Sequence, residues 1–252
     1  MKKKVILKTN NLCKSYYNGK NENKILKGIS IEIYDGDFTI IMGNSGSGKS
    51  TLLYSISTMD TPTSGTVSYG GKNIVNLNEK ELCKIRNSEI SFVFQSFNLI
   101  PDLTIFENVT YPYYQTMKKT VVNNRATELL KKFGLEEQTK KYPSELSGGQ
   151  QQRVAITRAL INKPKIVFAD EPTGALNSSA GQQVLDFMTE LNKKNQSIIM
   201  VTHDIKACAR GCRLLFLSDG HITGELKLGK YKKEDEKNRE DKIFKFLKEH
   251  NW

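Results

Sequence analysis

Short apolar runs separated by longer amphipathic stretches are the main pattern along this chain. Five of these runs are almost wholly apolar, which is typical of strands buried on both faces of a parallel sheet. Stretches with helical periodicity lie between them, and this alternation predicts a doubly wound α/β core. The predicted buried strands are 38–42, 90–94, 166–169, 198–201 and 214–217, and the predicted helices are about 49–58, 124–133, 148–162 and 180–194.

Other segments predict additions to this core. The stretch from about 97 to 160 contains no convincing strand and is expected to form a helical insertion. Together these features predict an α/β domain over residues 1–228, with a mostly parallel core sheet, an antiparallel β subdomain and a helical subdomain. The antiparallel strands are predicted from short alternating or apolar pieces at 4–9, 29–33 and 66–69.

The composition changes near the C-terminus. Residues 230–249 are dominated by Lys, Arg, Glu and Asp, and a few apolar residues interrupt them. This pattern predicts a charged extension over 229–252 with one short amphipathic helix. We expect the helix to pack on its own domain, and docking of a partner is the alternative. The interrupting residues are Ile243, Phe244, Phe246 and Leu247.

Composition narrows the possible partners. The 252 residues carry a net charge of +11, which favours anionic partners such as nucleotides, nucleic acid or acidic lipid headgroups, or reflects Lys-rich usage alone. No apolar run approaches the ~18–20 residues that span a bilayer, and the basic start lacks the apolar stretch of a secretory signal. Contact with a membrane is therefore expected only through a partner or the surface.

Four cysteines, at 13, 83, 208 and 212, form no CxxC pair. Cys208 and Cys212 with His203 form a conceivable metal site, but a closed zinc site needs about four ligands. Reduced thiols are the better interpretation.

Residues 43–50 fit the phosphate-binding pattern GxxxxGK[ST], between an apolar strand and an apolar helix. Glycines let backbone N–H groups surround a phosphate, and the helix start adds its positive dipole. Lys49 supplies a charge to the phosphates, and the Ser50 hydroxyl is a hard oxygen ligand for Mg²⁺. The residues assigned here to the nucleotide are Gly43, Asn44, Ser45, Gly46, Ser47, Gly48, Lys49, Ser50 and Thr51.

Two carboxylates follow the apolar run 166–169. Adjacent strand residues point to opposite faces, so Asp170 and Glu171 are expected to have different roles. Asp170 is predicted to reach Mg²⁺, and Glu171 to polarise an attacking water. A surface acidic pair is the alternative, and the phosphate loop upstream makes it the weaker one.

Residues 146–150 read Leu-Ser-Gly-Gly-Gln, with the phosphate loop upstream and the carboxylate pair downstream. Over about residues 4–225 the chain resembles an ABC-type nucleotide-binding domain. The resemblance implies a P-loop NTPase fold, hydrolysis of ATP with Mg²⁺, and a head-to-tail dimer of two copies. In that dimer the P-loop of one copy and the signature helix of the other hold the same ATP. The signature residues are Ser147, Gly148, Gly149 and Gln150.

The resemblance also assigns roles to isolated residues. Tyr16 matches the aromatic that stacks on adenine. Tyr17 could fill this role instead, and the alternative is that Tyr16 is an ordinary core or surface aromatic. Gln95 matches the glutamine that senses Mg²⁺ and the γ-phosphate. His203 matches the switch histidine that bonds the γ-phosphate. It follows the buried strand 198–201, where an unpaired imidazole would be costly.

One position departs from the family pattern. Asn177 stands where the family usually has Asp. Asn keeps an acceptor of similar shape but loses the charge. Coupling across the dimer is expected to be softer, and ATP binding unaffected.

Residues 97–101 and 104–109 resemble the subfamily of macrolide exporters, lipoprotein-releasing ATPases and bacitracin-type peptide-resistance transporters, and the segment with Asn177 most resembles the last. The resemblance implies a separate transmembrane permease at the cytoplasmic face of the cell membrane, which docks near Gln95 to Asn108. The apolar residues of that region are alternatively local core. Those residues are Phe97, Leu99 and Ile100.

Three other classes compete with peptide resistance. The first is the same ATPase acting in lipoprotein release or cell-division signalling, and only the identity of the permease would distinguish it from peptide resistance. A soluble ABC protein acting on DNA or ribosomes would carry coiled-coil heptads or two such domains, so no nucleic-acid partner is expected. A regulator without turnover conflicts with the presence of Glu171 and His203.

Overall fold

The computed structural model describes residues 3–250 and 252. These residues form two compact units. The first unit combines the chain up to residue 82 with the chain from residue 192 onward, and the second unit comprises residues 83–191. Each unit has its own strands, helices and buried residues, and the candidate site residues are divided between them.

The first unit contains an antiparallel sheet near the N-terminus. A long first strand, β1, is the centre of this sheet and pairs with three others. The order is β2-β1-β5-β6, and β3 also pairs with β1. The strands are β1 (Val5–Asn18), β2 (Asn21–Ile29), β3 (Glu32–Tyr34), β5 (Ser64–Tyr69) and β6 (Lys72–Asn73).

The first unit also contains the parallel strands that carry the phosphate loop. The strand β4 (Phe38–Gly43) lies between β9 (Ser197–Val201) and β10 (Arg213–Ser218) and is parallel to both. Every residue of β4 and β9 is buried, which explains why both strands are mostly apolar. The edge strand β11 (His221–Lys227) is antiparallel to β10. The helices of this unit are α1 (Lys49–Ile56), α7 (Ile205–Arg210) and α8 (Glu236–Glu249).

The second unit places two parallel strands beside a group of helices. The strand β7 (Ile90–Val93) pairs with β8 (Ile166–Asp170), and both carry large apolar side chains. Between them in sequence lies a helical segment, as predicted for residues 97–160. The helices are α3 (Ile105–Thr110), α4 (Lys119–Lys132), α5 (Gly148–Ala159) and α6 (Ser178–Lys193); α2 (Glu79–Ser88) crosses the sequence boundary between the two units.

The described helices are short. The longest, α6, has 16 residues, fewer than the ~20 apolar residues that a helical bilayer span needs. Within residues 3–250 and 252, no helix has both the length and the hydrophobicity to cross a membrane.

The five predicted buried strands agree with β4, β7, β8, β9 and β10 to within one residue at each end. The prediction of one strand over 29–33 is wrong, because β2 ends at Ile29 and β3 begins at Glu32. At the break, the backbone N–H of Ile31 donates to the Thr9 hydroxyl. Both β2 and β11 were missed, since their exposed positions are polar and give no apolar run.

The charged C-terminal segment forms α8, which packs on the first unit. Ile243 and Leu247 are completely buried. Arg239 is also buried, and its guanidinium donates to five backbone carbonyls, including Ala209 O at 2.7 Å and Leu228 O at 3.0 Å. These hydrogen bonds offset the free-energy cost of burying the guanidinium charge, and those to Ala209 O and Gly211 O fix α8 to the end of α7.

Candidate functional site

The phosphate loop lies between β4 and α1 in the first unit. Gly43 ends β4 in a space that admits only glycine, because a Cβ there would lie 2.0 Å from the carbonyl oxygen of Leu217. Gly48 precedes α1 with φ of 100°, a conformation that other residues rarely adopt. The loop between them is therefore constrained at both ends, directly before a helix N-terminus of the kind that binds anions.

Lys49 lies over this loop. Its Nζ donates to the carbonyl oxygens of Gly43 and Asn44, both at 2.9 Å. The positive charge of the ammonium is thus held beside the N-terminus of α1, where the helix dipole has the same sign. Ser50 and Thr51 are half-buried in the first turn of α1, and Asn44 to Gly46 are exposed. The arrangement suits a polyphosphate anion.

Tyr16 lies beside α1, at the end of the first unit's antiparallel sheet. Its hydroxyl donates to Asp60 Oδ2 at 2.8 Å and is also hydrogen-bonded to Thr51 in α1. Burial and the hydrogen bond to Asp60 raise the pKa of Tyr16, so the phenol remains neutral. Tyr16 is 44% exposed, so a ligand can reach its side chain. Tyr17 instead donates to Glu22 at 3.4 Å.

Asp60 is held by two groups. Lys14 Nζ donates to Asp60 Oδ1 at 2.5 Å and lies 4.9 Å from the centre of the Tyr16 ring. Partial burial opposes ionisation of Asp60, but the hydrogen bonds from Lys14 and Tyr16 outweigh it and lower its pKa. Lys14, Asp60 and Tyr16 thus form one network that fixes the tyrosine ring.

His203 follows β9 and precedes α7. The strand β9 and Thr202 are buried, but His203 is exposed. The chain turns outward here, since Asp204 caps α7 by accepting from the backbone N–H of Lys206 at 2.9 Å. The exposed imidazole can therefore reach a ligand without a desolvation cost.

The two carboxylates end β8 in the second unit. Asp170 is buried with 8% exposure, and Glu171 is half-buried. Glu171 has a φ of 43°, a left-handed conformation that is uncommon for a side chain of this type. Such backbone strain is frequent where a functional group must be aimed. The turn continues to Gly174, whose N–H donates to Glu171 O at 2.9 Å.

Gln95 reaches the same turn. It follows β7, and its side chain lies against Gly174: a Cβ on that glycine would be 2.7 Å from Gln95 Nε2 and 3.3 Å from Glu171 Oε2. The structure thus brings the Gln95 amide and the Glu171 carboxylate together over one glycine. A larger residue at position 174 would displace one of them.

The signature residues begin α5 in the second unit. Ser147 is the N-cap and forms a reciprocal capping box with Gln150: Gln150 Oε1 accepts from Ser147 N at 2.9 Å, and Ser147 Oγ accepts from Gln150 N at 3.4 Å. Gly149 packs on α6, where a Cβ would lie 2.8 Å from the Cβ of Ala180. Ser147 is exposed, so this helix start is accessible to an anion.

Asn177 acts as a helix cap. Its side-chain oxygen accepts from the backbone N–H of Ala180 at 2.9 Å, in the first turn of α6. Asn and Asp cap helices about equally well, so the exchange preserves the local fold. The effect on coupling across a dimer stays a prediction.

Oxygen-bearing side chains are the candidate ligands for magnesium. Ser50 offers a hydroxyl and Asp170 a carboxylate, the hard donors that Mg²⁺ prefers, and Mg²⁺ usually takes few protein ligands besides phosphate and water. Among the described residues, no group of three or more His, Cys, Asp or Glu side chains could hold a metal ion. Cys208 is buried. Burial, and to a smaller extent the negative charge of Asp204, raise the pKa of its thiol, which disfavours the thiolate that would bind a metal.

Several residues around the site were not found from the sequence. Lys14 and Asp60 position Tyr16. Asp60 lies 44 residues from Tyr16 along the chain, and no periodicity indicates such a contact. Gln152 is buried within α5 and contacts the backbone next to Gln95 and Glu171. The one available signal was a polar residue on the buried face of a predicted helix.

The sequence is similar to known ABC transporter proteins. A family model for ABC transporters matches residues 26–174. The chain is 45% identical over 218 residues to YvrO of Bacillus subtilis strain 168, an uncharacterized ABC transporter ATP-binding protein, covering 86% of this chain and 95% of YvrO.

Solved structures of ABC cassettes are also similar to this chain. The ATP-binding cassette MJ0796, solved as a dimer in a post-hydrolysis state with ADP and Pi, is similar with a TM-score of 0.82 and 42% identity, covering 90% of this chain and all of that one. The protein cbiO1 from Clostridium perfringens, part of an ABC transporter complex, has a TM-score of 0.81 and 28% identity, covering 97% of this chain and 94% of that one. This chain therefore belongs to the ABC transporter family, as an ATP-hydrolysing cassette with the P-loop ABC fold.

Proposed function

We propose that this ATPase works as a head-to-tail homodimer that drives a separate membrane permease in antimicrobial peptide resistance or export. The observation that carries the dimer is the exposed start of α5, an anion-binding helix end in the unit that lacks the P-loop. MJ0796, at 42% identity, is dimeric with ADP and Pi, and we extend that arrangement to this chain. The permease would hold the cassette at the cytoplasmic face of the membrane.

The site residues then have separate tasks. Glu171 orients and polarises the attacking water, and the strained backbone at this residue aims its carboxylate. Gln95, beside it over Gly174, senses the γ-phosphate. His203 donates to the γ-phosphate from its exposed position. Lys49 neutralises the β- and γ-phosphates.

Magnesium completes the proposed chemistry. When bound, Mg²⁺ neutralises charge on the β- and γ-phosphates. Ser50 would hold it through its hydroxyl, and Asp170 through its carboxylate, directly or through water. Gln95 would sense it. We base these assignments on the oxygen atoms of the three side chains, which are hard donors of the kind that Mg²⁺ prefers.

The region after Gln95 is a suitable surface for the permease. Asn108 is buried and fixes the preceding loop: its Nδ2 donates to the carbonyl oxygens of Ile100, Leu103 and Thr104, and its Oδ1 accepts from Ile100 N at 2.7 Å. Ile100 is nevertheless 47% exposed and Tyr111 61% exposed. A rigid loop with exposed apolar side chains suits a cytoplasmic helix of the permease, because little ordering entropy is lost on binding.

The substrate proposal is tested in the native host. Replacing the chromosomal copy with the Glu171→Gln variant should increase sensitivity to peptides that bind lipid-linked cell-wall precursors, because the permease no longer receives ATP-driven motion. The measurement is the minimal inhibitory concentration of bacitracin-type peptides, with a macrolide as the comparison drug. A Glu137→Gln strain, altered at an exposed carboxylate, is the control.

Other outcomes identify other branches of the family. Mislocalised lipoproteins with unchanged peptide sensitivity would replace the proposal with lipoprotein release. A division defect alone would favour cell-division signalling, and increased macrolide sensitivity alone would favour macrolide export. Each of these results contradicts peptide resistance without contradicting the assignment of the chain as an ATPase.

The adenine contact gives a further prediction. Tyr16→Ala should weaken ATP binding by roughly 5- to 100-fold, the usual loss when an aromatic that stacks on a base is removed. Binding of inorganic triphosphate should not change, because the phosphate loop is untouched. Fluorescence titration with a labelled ATP, in competition with ATP or triphosphate, measures both affinities.

Tyr17→Ala serves as the matched control for this prediction. Tyr17 is adjacent in β1 and bonded to Glu22, so its loss should leave ATP affinity within about two-fold. If Tyr17→Ala weakens ATP binding and Tyr16→Ala does not, the adenine contact belongs to Tyr17 instead.

A further inference from the structure

Gln152 lies in α5, the helix that begins at the signature residues. Its side chain is completely buried. Gln152 Nε2 donates to Pro172 O at 2.7 Å and to Phe94 O at 3.2 Å. Both partners are carbonyl oxygens, which only accept, so the amide nitrogen must face them. One side chain thus joins three segments of the second unit.

The two carbonyls flank the reacting groups. Phe94 directly precedes Gln95, and Pro172 directly follows Glu171. Glu171 has a left-handed backbone, so the turn after β8 must be held by its surroundings. The bond to Pro172 O fixes this turn from one side, and the bond to Phe94 O fixes the segment that carries Gln95.

The burial of Gln152 is costly, which argues for a role beyond stability. Its Oε1 is buried and has no hydrogen-bond partner among the described residues. An acceptor left unsatisfied destabilises the fold, and replacing a buried polar pair by apolar groups is often neutral. The amide retained at this position therefore fits positioning of the two segments better than packing.

We infer that Gln152 is a positioning residue that connects the signature helix to the catalytic Glu171 and to Gln95. A movement of the start of α5, where a second copy's nucleotide would bind, is carried along the helix to Gln152 and from there to both segments. Closure of the dimer thus aligns the carboxylate with its water. The inference rests on the proposed roles of Glu171, Gln95 and the signature residues.

The test compares Gln152→Met with the native chain. Methionine has a similar shape but no hydrogen-bond donor, so the carbonyl oxygens of Phe94 and Pro172 each lose the hydrogen bond from position 152. We expect kcat for ATP to fall by roughly 10- to 100-fold, the size of effect that a small misplacement of a reacting group produces, with KM changed by less than about two-fold. Gln152→Asn keeps the amide but is too short, and should give a smaller fall of the same kind.

Thr157→Val is the matched control. Thr157 is also buried in α5, but its hydroxyl donates to Arg153 O within the same helix, at 2.7 Å. Its loss should alter thermal stability without lowering kcat. An equal fall of kcat in Thr157→Val and Gln152→Met would reduce Gln152 to a structural residue and overturn the inference.

The double variant tests whether Gln152 acts through Glu171. Added to Glu171→Gln, the Gln152→Met change should lower the residual turnover by a clearly smaller factor than it lowers native turnover, because Glu171, one of the two groups it positions, is already lost. A full additional loss would overturn the inference. Native kcat in both Gln152 variants, with turnover abolished in Glu171→Gln, would overturn it while sparing the proposed site. Native turnover in Glu171→Gln would instead contradict the proposed catalytic role itself.

Discussion

The Glu171→Gln variant should bind ATP but turn it over roughly 100- to 10,000-fold more slowly than the native chain, the range expected when a general base is lost. Glutamine keeps the shape of the side chain beside Gln95 and Gly174, but its neutral amide is a poor proton acceptor. Since the phosphate loop is unchanged, ATP affinity should remain within about three-fold. Release of phosphate measures turnover, and titration with a labelled ATP measures binding.

Glu137→Gln is the control for this prediction. Glu137 is an exposed carboxylate in the same unit, in a short 3₁₀ turn, and its neutralisation should leave turnover unchanged. Native turnover in Glu171→Gln would show that another residue activates the water. Loss of ATP binding in that variant would show that Glu171 supports the fold or the nucleotide instead.

Lys49→Ala should lose both binding and hydrolysis. The ammonium is held over the loop by the carbonyl oxygens of Gly43 and Asn44, where a triphosphate would replace or join them. Hydrogen bonds to charged groups contribute ~1.5–3 kcal/mol, so ATP affinity should fall by roughly 10- to 100-fold. Turnover at saturating ATP should also fall, because the same charge stabilises the transferred phosphoryl group.

The control for Lys49→Ala is Lys20→Ala, which removes an exposed lysine at the turn between β1 and β2. This variant lowers the net charge equally and should bind ATP normally. Equal losses in the two variants would attribute the effect to overall charge. Unchanged ATPase activity in Lys49→Ala would contradict the assignment of the phosphate loop.

The parts of the fold that are buried on both faces could be predicted from the sequence. The strands β4 and β9 are mostly apolar because every residue in them is buried, and a short apolar run indicates that directly. The edge strands β2 and β11 could not be predicted, since exposed positions there tolerate polar residues. The break at Ile31 could not be predicted, because it depends on a hydrogen bond from the Ile31 N–H to a distant residue, Thr9.

The candidate site shows the same division. The residues expected to bind phosphate lie consecutively in the chain, so their spacing alone predicts the loop at Gly43 to Ser50. The residues that orient the others come from distant segments: Asp60 fixes Tyr16, and Gln152 fixes the backbone on either side of the reacting groups. The exposure of His203 could not be predicted, because the apolar run of β9 does not show that burial ends at Thr202.

The dimer in which each copy completes the other's nucleotide site is the central claim, and the mass of the Glu171→Gln variant in solution with ATP and Mg²⁺ tests it most directly. Light scattering after gel filtration should give about 57 kDa, twice the 28.5 kDa of one chain. Adding Ser147→Arg, which places a bulky cation at the exposed start of α5, should return the mass to that of one chain while ATP stays bound. A single-chain mass for Glu171→Gln with ATP bound, or a dimer that persists with Ser147→Arg, would contradict the account.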